Sequence, residues 1–331
     1  MKQMLKKKLG TTGLEVTQIS FGCASIGNLG KAISDEEALA VLSHAWSVGI
    51  NYFDTAPHYG RGLSEQRLGS FLRHKPRNDY VISTKVGRVL SPGEPKAEVD
   101  GYMNPLPNNA RYDYSGKGIR ESFEASCERL HTDYIDILYV HDLGVYTHGE
   151  KENEAHTANF LATGVDELKR LKADGKIAAF GLGVNETKIC IDVMKHVLLD
   201  VILIAGRLSL LDRSADSELT GMCREVGTSL VLGGIFNSGI LATGAKSGAT
   251  YDYSPAPEHI LDAVRKVEVK ANQAGLSLAE AALQFALHHP SSTSVLLGTG
   301  KVESLQRNLD AANKTMTSAA MAFISVLKAK D

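Results

Sequence analysis

The chain has 331 residues, 43% of them hydrophobic, 22% charged and 31 of them glycine, with a formal net charge of -2. A near-neutral chain without a long Lys/Arg run lacks the electrostatic footprint of nucleic-acid or anionic-lipid binding, so the expected partner is a small molecule, with no nucleic acid and no membrane. Length alone suggests about two domains of roughly 150 residues, but barrel folds commonly exceed about 250 residues as one unit.

The basic N-terminus, MKQMLKKKLGTTGLEV, is not followed by an apolar stretch of about 7 to 15 residues, which argues against a secretory signal. No apolar run approaches the roughly 18 residues of a membrane span. Cys23, Cys127, Cys190 and Cys223 are far apart without metal-finger spacing. They read as reduced thiols of a cytoplasmic protein with no metal site.

Taken in chain order, Lys8–Val16 predicts a hairpin turn and Thr17–Gly22 a strand. Ser34-Asp35-Glu36-Glu37 forms a capping box before a helix with Ala38, Leu39, Val41, Leu42 and Trp46 on its apolar side. Strands follow at Asn51–Asp54, Tyr80–Lys85, Ile135–His141, Ala178–Gly183, Val201–Ile204, Ser229–Leu232 and Thr293–Leu297. Helical patterns separate them at Ser64–Leu72, Gly118–Leu130, Gly164–Ala173, Thr187–Lys195, Ser217–Val226, His259–Ala274 and Leu278–His288, with a last one at Val302–Asp310. The helix before Asp174-Gly175 ends at a glycine stop. His148 and His156 flank the polar run Glu150–Glu154, which reads as a solvated loop.

Eight strand–helix units predict an α/β fold, a closed (β/α)8 barrel of the TIM type with an N-terminal β-hairpin, as one domain over 1–331. An open doubly wound sheet is disfavoured, because Gly22–Gly27 does not fit GxGxxG and Gly181–Glu186 lacks its final glycine. Residues 88–117 and 236–257 are too long for ordinary loops. Both follow the C-terminal end of a strand, where barrel enzymes keep their sites, and are candidate pocket walls.

Ionisable residues collect at those strand ends. Asp54, Lys85 and His141 each end a strand, and Tyr59 follows Asp54 in the next loop, so all four are expected at one mouth. A lysine ammonium beside a tyrosine favours the phenolate and would lower its pKa. Lys85 is expected to act on Tyr59 in this way, with Asp54 holding Lys85 and His141 bonding a substrate oxygen. That is acid/base machinery for a carbonyl or hydroxyl. None of the four can carry hydride, so a nicotinamide cofactor is required. The turn Gly298-Thr299-Gly300-Lys301 opens the last helix and is a natural anion site.

The motif Gly49–Gly60 with Ser64-Glu65 and Leu68-Gly69, the run Ser83–Gly87 and the run Asp133–His141 resemble the signatures of the aldo-keto reductases, nearly end to end. The resemblance implies a barrel that binds NAD(P)H without a Rossmann domain and uses Tyr59 as acid/base, supported by Asp54, Lys85 and His141. It also places Asn185 on the nicotinamide carboxamide. Arg207 lies in the run Ala205–Leu211, where Leu208 stands in place of a ring-stacking tyrosine. Gly234, Phe236, Asn237, Ser238, Gly239 and Leu241 fall in the loop over the pyrophosphate. Gly298, Thr299, Gly300, Lys301, Ser304, Arg307 and Asn308 fall at the phosphate and adenine end. A lysine near Gly298 and an arginine near Ser304, which grip a 2'-phosphate in NADP-preferring relatives, are absent, which favours NAD over NADP.

Within that family the runs Lys85–Leu90, Ala205–Leu211 and Gly233–Gly239 look most similar to members that dehydrogenate D-threo-aldoses such as L-fucose at C1, or pyridoxal at C4. The implied reaction is oxidation of a cyclic hemiacetal, sugar or vitamer, to a lactone, with His58 as a candidate substrate contact. Competing readings are a broad NADPH-dependent aldehyde reductase, a Schiff-base aldolase with Lys85 as nucleophile, and a non-catalytic cofactor-binding subunit.

Overall fold

A computed structural model of the chain describes residues 4–328. The parallel strands β1 (Ile19–Gly22), β2 (Tyr52–Asp54), β3 (Val81–Val86), β4 (Ile135–His141), β5 (Ile177–Val184), β6 (Val201–Ala205), β7 (Ser229–Gly233) and β8 (Ser292–Gly298) close into a barrel. Each pairs with its neighbour in sequence, and β8 returns to β1 through Val295 opposite Ile19. All eight lie within two residues of the strands expected from the sequence. The largest difference is at Thr17, which ends the hairpin strand Glu15–Thr17 paired antiparallel with Lys6–Lys8. Its carbonyl accepts from the Ser294 hydroxyl at 2.7 Å, which turns the chain before β1 begins.

Two apolar layers hold the barrel. Inside, Leu9 and Val16 of the hairpin meet Val81, Ile137, Val201 and Val231 from the strands and plug the N-terminal end. Outside, the helices lay apolar faces on the strands. The helix Asp35–Ser47 starts on the expected capping box, with the Glu37 amide donating to the Ser34 hydroxyl and Glu37 accepting from the Ser34 amide. It buries Ala38, Val41, Leu42 and Ala45. Leu39 is instead 52% exposed, because it lies one position off the buried stripe. Trp46 is half-buried and packs edge-on against Phe71 and Tyr80.

The connection after β4 differs from its expectation. Residues Val145–Asn159 are helical on both sides of a break at Gly149, φ 71° and ψ 169°, and run through one wide turn at Phe160–Gly164 into Val165–Ala173. His148 and His156 therefore sit on helical turns either side of Gly149, their ring centroids 4.5 Å apart, with His148 Nε2 2.9 Å from the Tyr114 hydroxyl. This helix buries no residue, so it carries no apolar periodicity to reveal it. A C-terminal helix, Ser318–Lys328, also forms and tucks Ala320 and Ile324 against Glu258–Gln273 and Leu278–His288.

Both long segments are structured. In the first, Arg88–Pro92 pairs with Asn108–Tyr112, and Glu98–Val99 with Tyr102–Met103. The second holds the short helix Ile240–Thr243 and the hairpin Thr250–Tyr251 with Ser254–Pro255. Its turn puts Asp252 and Tyr253 in the left-handed region, at φ 47° and 61°. No helix among the described residues is long and apolar enough to cross a membrane.

Candidate active site

Side chains along a barrel strand alternate between interior and exterior, so residues two apart share the interior. Three strands use this in the same way. Tyr52 lies below Asp54 on β2, Ser83 below Lys85 on β3, and Tyr139 below His141 on β4, all buried. The lower layer is hydrogen-bonded from Tyr139 to Tyr52 at 3.0 Å and from Tyr52 to Ser83 at 3.0 Å. Ser83 then donates to Asp54 Oδ1 at 2.6 Å. On the adjacent strand β5, a Cβ at Gly183 would come within 3.2 Å of Tyr139 and 3.4 Å of Lys85, so a larger residue there would crowd both.

The upper layer brings the expected residues together. Lys85 Nζ donates to Asp54 Oδ2 at 2.7 Å, to the Thr55 carbonyl at 2.8 Å and to the Tyr59 hydroxyl at 2.9 Å. Three acceptors match the three protons of an ammonium. The Tyr59 oxygen thus accepts from below, which leaves its own proton free to face the mouth. Tyr59 opens a tight turn in which Gly60, Arg61 and Gly62 are all left-handed. Gly27 packs its backbone where a Cβ on Gly60 would stand, so only glycine lets the turn hold Tyr59 over Lys85. The Tyr59 and His141 rings lie 6.0 Å apart.

The electrostatics depart from the sequence expectation. Burial raises the Tyr59 phenol well above its ordinary value, and the carboxylates of Asp54 and Asp142 push the same way. The bond from Lys85 favours the phenolate, but burial and the two carboxylates outweigh it. Burial also raises Asp54, against the lowering effect of Lys85 and Ser83. His141 is held well below its usual range by burial and by the charges of Lys85 and Arg88. A neutral His141 can bond an oxygen without competing for the proton Tyr59 moves. Its Nδ1 is buried without a hydrogen-bond partner among the described residues, and its Nε2 stands 3.5 Å from Asp142.

The first long segment closes one side of the mouth. Tyr102 is buried, its ring stacked on Tyr59 at 6.0 Å and edge-on to His58 at 5.2 Å. Tyr253, in the turn of the second segment's hairpin, is 69% exposed. The sequence reading did not single out Ser83, Arg88, Tyr102, Asp142 or Tyr253. Ser83 was legible from its two-residue offset to Lys85. The other four depend on how two loops fold back over the barrel.

The residues assigned to a cofactor fall in three groups along the same end of the barrel. Arg207 donates to the Asn185 carbonyl at 2.6 Å and pairs with Asp212 and Asp252 at 2.9 and 3.0 Å. Leu208 and Leu241 are buried in the apolar core. Asn237 is buried, bonded to the Ser209 hydroxyl at 2.5 Å and the Gly206 carbonyl at 3.0 Å, so its side chain holds the loop in shape. Ser238 is exposed and accepts from the Tyr253 amide at 3.0 Å, and Gly234 packs against the backbone of Gly206. Phe236 and Gly239 are partly exposed. After β8, Gly298, Thr299, Gly300 and the exposed Lys301 lead into the helix Val302–Asn313, whose first amides have no side-chain cap. Uncapped amides at a helix start suit a phosphate, so this turn fits the group the chemistry requires. On the same helix, Arg307 donates to Ser304 at 2.9 Å, and Asn308 is partly exposed one residue further on.

The barrel mouth gathers Asp54, Lys85, Tyr59 and His141 into acid/base machinery suited to a carbonyl or hydroxyl oxygen. Residues 18–328 match the model of the aldo/keto reductase family. The chain is 39% identical to pyridoxal 4-dehydrogenase of Microbacterium luteolum, covering 93% of each chain. It is 37% identical to D-threo-aldose 1-dehydrogenase of a Pseudomonas species, covering 90% of each. Among solved structures, the holo form of an aldo-keto reductase from Bacillus halodurans superposes with a TM-score of 0.76 at 26% identity, over 98% of this chain and 96% of that one. The protein belongs to the aldo/keto reductase family, whose members use nicotinamide nucleotides.

Proposed function

We propose that the protein is an NAD(P)-dependent dehydrogenase that oxidises a cyclic hemiacetal, an aldose at C1 or pyridoxal, to its lactone. The observation that carries this reading is the saturated Lys85 ammonium, which fixes the Tyr59 oxygen and leaves its proton side toward the mouth. In oxidation the Tyr59 phenolate takes the hemiacetal hydroxyl proton while the C–H pair leaves as hydride. Lys85 stabilises the phenolate through its donated bond, and His141 bonds the reacting oxygen. The nicotinamide, when bound, supplies the hydride acceptor.

Asn185 is assigned to the carboxamide. The segment Gly234–Leu241 and the turn Gly298–Lys301 are assigned to the phosphates. Ser304, Arg307 and Asn308 are assigned to the adenosine end. With neither lysine at 298 nor arginine at 304, NAD is the favoured cofactor. The names of the two relatives support a hemiacetal substrate, and four free cysteines support a reducing, cytoplasmic setting. A Schiff-base role for Lys85 is disfavoured, since its side chain is 1% exposed and its ammonium has all three bonds committed.

The test follows NADH formation with L-fucose, L-galactose, D-arabinose and pyridoxal in parallel, with wild type and Tyr59→Phe. At least one of these is expected to turn over, with kcat falling about 100- to 10,000-fold in the variant. Near wild-type turnover by Tyr59→Phe removes the assignment. An aldehyde panel with NADPH separates the reductase reading. A large kcat/KM advantage for NADP+ overturns the NAD preference.

A further inference from the structure

His58, Arg88 and Asp142 meet at the mouth in an arrangement that the proton transfer above does not use. Arg88 donates from one terminal nitrogen to Nδ1 of His58 at 3.1 Å and from the other to Oδ2 of Asp142 at 2.5 Å. The three side chains are 15, 11 and 14% exposed, so water competes little for these bonds. A guanidinium has only donors. Nδ1 of His58 is therefore the accepting nitrogen, and the ring proton resides on Nε2. Burial and the charges of Arg88, Arg61 and Lys85 hold the ring neutral, with a pKa down to about 2. Asp100 Oδ2 is 3.9 Å from the same Nδ1 and is bonded to Arg61. His58 is thus locked as a single-tautomer donor.

Asp142 is the matching acceptor. It follows the end of β4 in the left-handed region, φ 52°, a conformation that Asp and Asn tolerate better than other side chains. Its amide donates to the Gly183 carbonyl at 3.0 Å, and Oδ2 is committed to Arg88. Oδ1 bonds to no other described residue. The carboxylate stands 3.5 Å from Nε2 of His141, so an oxygen bound at His141 has Asp142 beside it. The His58 ring lies 5.9 Å from the His141 ring and 6.3 Å from the Tyr59 ring, so a ring donor and a carboxylate acceptor border the same mouth, which suits a group that both gives and takes a hydrogen bond. Arg88 and Asp142 cancel in charge, which suits a neutral ligand.

We propose that Asp142 and His58 together bind a hydroxyl next to the reacting hemiacetal carbon, with Arg88 as the positioning residue that fixes both, so that the substrate is a 2-hydroxy aldose. This rests on the hemiacetal reading above and selects the sugar over simple aldehydes. A hydrogen bond to a charged group contributes about 1.5 to 3 kcal/mol, equivalent to about 10- to 150-fold in kcat/KM.

The experiment compares L-fucose with 2-deoxy-L-fucose in wild type, Asp142→Asn, Arg88→Met and Arg88→Lys. Thermal unfolding checks that each variant is folded. Wild type is expected to lose about 10- to 150-fold in kcat/KM when the hydroxyl is removed. In Asp142→Asn, which keeps an acceptor but loses the charge, that penalty is expected to shrink to about 2- to 10-fold, with L-fucose affected in KM more than in kcat, the mark of lost uniform binding. Arg88→Met is expected to act like Asp142→Asn, and Arg88→Lys to restore part of the penalty. If wild type oxidises both sugars and the hydroxyl penalty is the same in every variant, the three residues only brace the loop and the inference fails alone. If wild type oxidises no hemiacetal, the functional reading falls and takes this inference with it. Turnover of pyridoxal without either sugar overturns the aldose assignment.

Discussion

Lys85→Met tests the account of the buried centre. The substitution keeps most of the side-chain volume and removes three hydrogen bonds, of 2.7, 2.8 and 2.9 Å. It leaves Asp54, 2% exposed, with the Ser83 hydroxyl as its remaining side-chain donor. Breaking one side of a buried ion pair costs about 3 to 5 kcal/mol, a large share of a typical stability of about 5 to 15 kcal/mol. The cost depends on pH. Asp54 is already raised by burial, and Lys85 contributes the largest opposing effects, so its loss raises Asp54 further. Between the unfolded and folded pKa values the native variant holds a proton that the unfolded chain has released. Its stability is therefore kept below the unfolded value, near 3.9, and falls as pH rises through the folded value. Urea unfolding followed by circular dichroism at about pH 5 and pH 8 should show the larger deficit at pH 8. Adding Asp54→Asn should recover much of it, because the uncompensated charge is gone. An equal deficit at both pH values, with no recovery in the double variant, would refute the reasoning.

Other outcomes follow from the same geometry. Because burial, Asp54 and Asp142 hold the Tyr59 phenol above its ordinary value, its phenolate fraction grows about tenfold per pH unit below that value. Oxidation kcat/KM should therefore rise steadily from pH 7 to pH 10, and a plateau below pH 8 contradicts this. Gly60→Ala forces a Cβ into the Gly27 backbone at a left-handed position and should lower stability by about 1 to 3 kcal/mol. It should also displace Tyr59 and lower kcat, and unchanged denaturation and kcat would show that the turn adapts. Ser83→Ala removes the donor to Asp54 Oδ1, and a stability loss of about 1 to 3 kcal/mol in urea is expected, with the variant's activity retained in part. Asp252→Asn weakens the tie between the outer hairpin and Arg207, so limited proteolysis should cut near 252 faster than in wild type.

Much of the barrel was legible in the sequence, for a physical reason. Parallel strands buried on both faces are continuous apolar runs, and the helices between them carry their own caps, as at Ser34–Glu37 and Gly175. The polar residues Asp54, Lys85 and His141 stand out because they end such runs, and the closed barrel brings those ends to one mouth. Segments without a buried face gave no such signal. The helix carrying His148 and His156 is an example, since none of its residues is buried.

The sequence by itself determined the eight strands, their order, three residues near their ends and Tyr59 in the loop after one of them, because each depends on local pattern and on a closure rule that follows from counting. The tertiary structure alone decided the pKa direction of Tyr59, since burial and two carboxylates from different strand ends outweigh the neighbouring lysine. It also decided the tautomer of His58, fixed by Arg88, which is 30 residues away in sequence and is held in turn by Asp142. Such pairings lie between loops with no periodicity, so they exist only once the chain has closed.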